Sequence, residues 1–115
     1  MHELGVVFHI IKKVDKVAEE NNVEHVNSVT LEIGEVSMIV PSYFEDCWKW
    51  AVDNRSQRMK GCKLIINTIH AITRCEDCNK EYDTVAHGKT CPYCGSGNTF
   101  LVTGNEVMIK EIEVY

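Results

Sequence analysis

Apolar residues fall on a helical period at the start of the chain. Leu4, Val7, Phe8, Ile11, Val14 and Ala18 recur at i, i+3, i+4 and i+7, with His9, Lys12, Lys13, Lys16, Glu19 and Glu20 on the other side. That spacing predicts an amphipathic helix over residues 4–21, ended by Asn21-Asn22. The period then changes to two. Val29, Leu31 and Ile33 alternate with Ser28, Thr30 and Glu32, which predicts a half-buried strand over Val26–Gly34. Gly34-Glu35-Val36-Ser37 reads as a turn, and Pro41 suits the first position of a second helix. Phe44, Cys47, Trp48 and Ala51 carry that helix to a stop at Asn54, with a loop over Arg55–Gly61. Lys63–Thr73 is apolar on both sides, with Leu64, Ile66 and Ile72 opposite Ile65, Ile69 and Ala71, and so predicts a long central strand. Val107–Val114 predicts a third.

The two helices each need a sheet to cover their apolar faces. The first two strands, joined by a helix, should run parallel through a right-handed crossover. The last two should be antiparallel, with an insertion where a hairpin loop would be. The expected fold is α+β: a small three-stranded mixed sheet with two helices on one face, plus a zinc-ribbon lobe inserted before the last strand. Residues 1–73 and 104–115 would form the body and residues 74–103 the zinc-binding lobe.

The insertion carries the strongest chemical signal. Cys75-Glu76-Asp77-Cys78 is followed after twelve residues by Cys91-Pro92-Tyr93-Cys94-Gly95. A two-residue spacer lets one tight turn aim both sulfurs at one ion, and two such turns complete a tetrahedron. Pro92 fixes φ within its turn, and Gly95 permits the positive φ a knuckle needs after its second ligand. Four thiolates leave no open position for chemistry, so structural Zn²⁺ is the expected occupant. The alternatives are a rubredoxin-like iron site, which would make the chain an electron carrier, and a redox dithiol or disulfide pair. The segment is too short and polar for a core of its own, so its folding should depend on the metal.

Composition narrows the rest. With 115 residues, 44% of them hydrophobic, one domain or one and a half is expected, with a real core outside the metal segment. A formal net charge of −5 with twelve scattered Lys and Arg lacks the basic footprint of a nucleic-acid binder. The zinc-ribbon adaptor reading therefore points to protein partners rather than nucleic acid. No apolar run reaches transmembrane length, and the start does not read as a signal peptide, so no membrane association is expected. Six cysteines, four at zinc spacing, suit a reducing cytoplasm better than a disulfide scaffold.

No catalytic set emerges: the chain has no phosphate-cradling Gly-rich loop, GxSxG, HExxH or carboxylate pair at a recognisable spacing, and it does not read as an enzyme. Cys47 and Cys62 read as buried thiols. His70 reads as a strand residue with a satisfied hydrogen bond, and His9 and His25 as surface residues. His87, four residues before Cys91, is either solvent-exposed or a pH-responsive neighbour of a metal site. Met1-His2-Glu3 offers a second metal site. The α-amine, the amide nitrogen and imidazole of His2, and the amide of Glu3 can close a plane of four nitrogens, which suits Ni²⁺ or Cu²⁺ rather than Zn²⁺. The first N–H groups of a helix have no intrahelical partner, so their deprotonation breaks no helix bond. Many chains begin Met-His by accident, and spacing alone does not decide.

Taken together, Met1-His2-Glu3, the amphipathic helix, Gly34-Glu35-Val36-Ser37, Cys75-x2-Cys78 with Cys91-x2-Cys94, and Gly104-Asn105-Glu106 resemble the HypA/HybF family over essentially the whole chain. One departure is Ser42 after Pro41, where an acidic residue is common in that family. The resemblance implies a cytoplasmic nickel metallochaperone for [NiFe]-hydrogenase maturation, in some organisms also serving urease. It implies Ni(II) bound at Met1, His2 and Glu3 and structural Zn(II) on Cys75, Cys78, Cys91 and Cys94. The implied partners are a nickel-maturation GTPase of the HypB type and a hydrogenase large subunit.

Overall fold

A computed structural model describes residues 3–114, so the predicted nickel ligands Met1 and His2 lie outside the described residues. Nine elements follow in order: α1 (Glu3–Glu20), β1 (Val26–Gly34), α2 (Pro41–Arg55), β2 (Lys63–Ile69), β3 (Ile72–Cys75), β4 (Glu81–Asp83), α3 (Thr84–His87), β5 (Thr99–Thr103) and β6 (Val107–Val114). The strands form two three-stranded sheets, ordered β2-β1-β6 and β4-β3-β5. The fold is α+β, as the sequence pattern predicts.

The chain divides into two compact units. One comprises the described residues up to Leu31, Ile39–Asn67 and the residues from Met108 onward; the other comprises Glu32–Met38 and Thr68–Val107.

In the first unit, α1 buries Val7, Ile10, Ile11, Val14 and Ala18. Leu4 stays exposed and Ile10 takes its place in the stripe. Asn22 ends the helix with φ of 57°. Val23 N–H donates to Ala18 O at 2.8 Å and Asn22 N–H to Glu19 O at 3.2 Å, the paired bonds of a Schellman cap built on Asn instead of Gly. α2 starts at Pro41, which has no N–H to leave unpartnered at a start where Val40 offers no side-chain cap. It buries Phe44, Trp48, Ala51 and Val52, and the Trp48 indole N–H donates to Cys62 O at 3.0 Å. The helices meet through Phe8 and Trp50, whose ring centroids lie 6.4 Å apart, and the Arg55 guanidinium sits 4.8 Å over the Phe8 ring.

The strand expectations need correction at several points. The central strand is β1, with a hydrogen-bonded neighbour on each edge, so Ser28 and Thr30 are buried along with Val29, Leu31 and Ile33. β6 pairs with β1 and not with β2. Asn27 Nδ2 donates to Glu113 Oε1 at 2.6 Å near one end of β1, and Gly34 N–H donates to Glu106 O at 2.7 Å at the other, which makes that pair antiparallel. β2 is an edge strand, with Ile65 half-exposed.

The long strand over Lys63–Thr73 is also two strands in two sheets. Ala71, at the break, commits its N–H to the Glu35 carboxylate at 3.0 Å and its C=O to Thr84 N–H at 3.1 Å, so neither continues the β2 ladder. Gly104 packs against it: a Cβ on Gly104 would lie 2.4 Å from Ala71 Cα, and Gly104 holds φ of 113°. Beyond the break, β3 pairs antiparallel with β4 and with β5. This second sheet surrounds a small core of Cys75, Tyr82 and Cys91, with Cys78 packed on it.

Candidate metal centre

The same local structure occurs twice around the four cysteines. Cys75 N–H donates to Lys80 O and Asn79 N–H returns to Cys75 O, each at 2.9 Å. Sixteen residues on, by subtraction of the residue numbers, Cys91 N–H donates to Ser96 O and Gly95 N–H returns to Cys91 O, again at 2.9 Å. The residue after each second cysteine has positive φ, 61° at Asn79 and 77° at Gly95. Asn is the side-chain-bearing residue that tolerates this region best, so the first knuckle works without a glycine. These turns aim backbone N–H groups at sulfur: Tyr93 N–H lies 3.4 Å from Cys91 Sγ.

All four sulfurs lie within 4.8 Å of one another, and none is in a disulfide. Cys75 Sγ is 3.5 Å from Cys94 Sγ, and Cys78 Sγ is 3.6 Å from Cys91 Sγ. A regular tetrahedron with Zn–S bonds of about 2.3 Å has S···S edges of roughly 3.8 Å, so the sulfur cage fits Zn²⁺. The titration of the thiols points the same way. Burial opposes the Cys91 thiolate, but N–H donation from Cys94 and Tyr93, with help from the Cys78 and Cys94 thiols, brings it down to about 7. Ser96 N–H favours the Cys94 thiolate, yet its thiol neighbours, Cys75 first, and burial push it up to about 12. Four clustered thiols cannot all ionise without a counter-charge, which a divalent cation supplies.

Asp77 joins the two knuckles by accepting from Ser96 Oγ and from Asn98 Nδ2. These bonds, Ser96 first, hold its carboxyl below the ordinary carboxylate range. His87 lies on α3, exposed, with its ring edge-on to Tyr82 at 5.9 Å, and is not one of the gathered ligands. Cys62 is buried, and burial raises its thiol to about 11, the state of an inert core cysteine. Cys47 is partly buried. Glu3, the described member of the predicted nickel site, is the first residue of α1.

A second group of possible ligands has no spacing signal in the sequence. Glu35, His70 and Asp83 place their donor atoms within 4.8 Å of one another. His70 does not sit in a strand; it occupies the link between β2 and β3 and faces a carboxylate on each ring nitrogen, Glu35 at 3.2 Å and Asp83 at 3.6 Å. Its position in an apolar run, before a residue whose hydrogen bonds leave the strand, hid the break.

Fold and sulfur cage define a small α+β metal-binding protein with a built four-cysteine centre. Residues 1–114 match the family described as hydrogenase/urease nickel incorporation, metallochaperone, hypA. The chain belongs to the HypA family of nickel metallochaperones for hydrogenase maturation. It is 32% identical over 114 residues to hydrogenase maturation factor HypA of Geotalea uraniireducens, covering 99% of each chain. It is 30% identical over 113 residues to hydrogenase maturation factor HybF of Klebsiella pneumoniae, covering 98% of each. Among solved structures, it superposes on the Ni metallochaperone HypA from Helicobacter pylori with a TM-score of 0.74 at 26% identity, covering 99% of this chain and 97% of the other. Among the described residues, no helix is long and apolar enough to cross a membrane.

Proposed function

We propose that this chain binds Ni²⁺ at its amino terminus and passes it on by ligand exchange during maturation of a [NiFe]-hydrogenase. The ligands are the Met1 amine, the amide and imidazole of His2, and the amide of Glu3. The observation that carries this reading is family membership across residues 1–114, in a chain that opens Met-His-Glu. Further support comes from Glu3 as the first residue of α1, because amides there have no intrahelical acceptor and are free to lose their protons to a metal. A planar four-nitrogen set selects Ni²⁺ over Zn²⁺ by geometry, and its metal can then be passed on to a competing ligand.

In the same reading, residues 1–73 with 104–115 act as the nickel-binding body, and residues 74–103 as a lobe held by structural Zn²⁺ on Cys75, Cys78, Cys91 and Cys94. The protein works in the cytoplasm as a carrier and not as a catalyst. A GTPase of the HypB type releases or loads the nickel, and the hydrogenase large subunit receives it, with urease as a second destination.

Titration of Ni²⁺ into untagged, zinc-loaded protein tests the proposal, beside His2→Ala and a form extended before Met1. One planar nickel per chain, seen by calorimetry and visible absorption and lost in both variants, is the expected result. Planar nickel that survives in either variant overturns the terminal assignment.

A further inference from the structure

We infer that Glu35, His70 and Asp83 form a second divalent-cation site, with one imidazole, two carboxylates and the remaining positions open to water. The donors come from three separate pieces of chain: the turn after β1, the link between β2 and β3, and the end of β4. Two glycines without room for a side chain bring the first two together. A Cβ on Gly34 would lie 2.0 Å from Gly104 O, and one on Gly104 would lie 2.4 Å from Ala71 Cα. Backbone bonds lock this approach, with Glu35 N–H donating to Ile69 O and Val36 N–H to Gly104 O, both at 2.9 Å.

The carboxylates are held as well as gathered. Glu35 Oε1 accepts Ala71 N–H at 3.0 Å, and Asp83 Oδ1 accepts Val85 N–H at 3.2 Å as the cap of α3. Such outer bonds orient carboxylate ligands in built metal sites. Among the described residues, neither acid has a Lys or Arg in ion-pair range; the ionisable partner of each is His70. With the imidazole neutral, the group carries two negative charges, complementary to one M²⁺. The imidazole ring is more than half exposed, and one donor atom from each of the three residues lies within 4.8 Å of the other two. One nitrogen and several oxygens suit a borderline cation such as Ni²⁺ in an octahedral setting, unlike either the thiolate cage or a planar nitrogen set. Exposure keeps the site weak and its ion exchangeable.

The two kinds of nickel are separable by magnetism, since planar four-nitrogen Ni²⁺ is diamagnetic and octahedral Ni²⁺ with oxygen ligands is paramagnetic. Full-length, zinc-loaded, ¹⁵N-labelled protein is titrated with Ni²⁺ alone to about 1 mM, the weak end of useful affinity. The expected result is a second equivalent that selectively broadens the amide signals of Ala71, Val85 and their neighbours. Three conservative variants report on it. His70→Gln removes the imidazole at an exposed position, Glu35→Gln keeps an acceptor for Ala71, and Asp83→Asn keeps the α3 cap. Each should abolish the broadening while zinc content and any planar nickel band persist. No broadening in the parent protein, or broadening that survives His70→Gln, overturns the inference. The form extended before Met1 should still broaden, so loss of the terminal site leaves this one measurable.

Discussion

The two compact units fold by different means. In the first, Trp48, Phe44, Leu31, Val7, Val14, Val26 and Val29 are almost wholly buried, and each excluded side chain contributes on the order of 2 kcal/mol. In the second, a small cluster has Cys75, Tyr82 and Cys91 at its heart, and two of those three residues belong to the four-cysteine cage that could hold a metal ion. Phe100, Leu101 and Val102 on β5 stay exposed. A sheet of three, four and five residues with so small a core would need a bound ion to offset the entropy of ordering its chain. One unit is stable because its sequence is apolar. The other would owe its stability to a metal held by its cysteines.

Metal removal should separate them most sharply. Structural zinc sites contribute apparent binding energies of about 10–16 kcal/mol in small peptides at pH 7, far more than a short sheet can replace. Stripping the metal, or changing Cys91→Ser, should therefore abolish amide protection across β3, β4 and β5. Protection at Val7, Val14, Leu31 and Trp48 should survive. Hydrogen exchange followed by mass spectrometry reads both units at once. If both unfold together, the contrast between an apolar and a metal-held unit is wrong.

The converse change comes next in size. Phe44→Ala empties a fully buried position on α2 and should cost about 3–5 kcal/mol in the first unit. Zinc stoichiometry should stay at one ion per chain, since the ligands lie in the other unit. A denaturation midpoint lowered without zinc loss supports the contrast; parallel loss of zinc contradicts it.

The sequence disclosed these units unequally, for physical reasons. α1, β1 and α2 were readable because period and burial agree where an apolar face packs on a core. β6 was readable only from its apolar content. It is not the core element that Val107, Met108, Ile109, Ile112 and Val114 suggest, since none of its described residues is buried. Even so, alternation made β1 look half-buried, when neighbours on both edges and its buried Ser28 and Thr30 make it central. The four cysteines were readable because ligand spacing is set locally by the knuckle. The boundary at His70-Ala71 was not, because Glu35, Thr84 and Gly104, distant in sequence, redirect it. The Glu35–His70–Asp83 cluster was hidden for the same reason. Met1 and His2 were prominent in the sequence and lie outside the described residues.

Gly104→Ala tests that redirection. The position combines φ of 113° with a Cβ that would meet Ala71, so strain of about 1–3 kcal/mol comes from the backbone conformation alone. The expected outcome is a lower thermal midpoint for the second unit, with faster exchange at Ala71 and Val36, while the first unit keeps its own. An unchanged midpoint would show that Gly104 does not set the approach of Glu35 to His70.

The smallest effect should come from Glu106, which pins the same loop from the other side. Its carboxylate accepts Thr103 Oγ1–H and Gly104 N–H, each at 2.6 Å. These donors, Thr103 first, hold the carboxyl below its ordinary range. A depressed carboxylate favours the folded form above the ordinary carboxylate pKa of about 4.3, and that contribution fades as pH falls through the lower folded value. Zinc loss also begins in acid, because thiolates must stay deprotonated, and would mask so small a change at equilibrium. The readout is therefore local. At pH 7, Glu106→Gln keeps an acceptor but loses the charge, and should speed exchange at Gly104 with little change at Cys75 or Cys91. Equal acceleration at the cysteines would mean that the loop and the metal centre open as one piece.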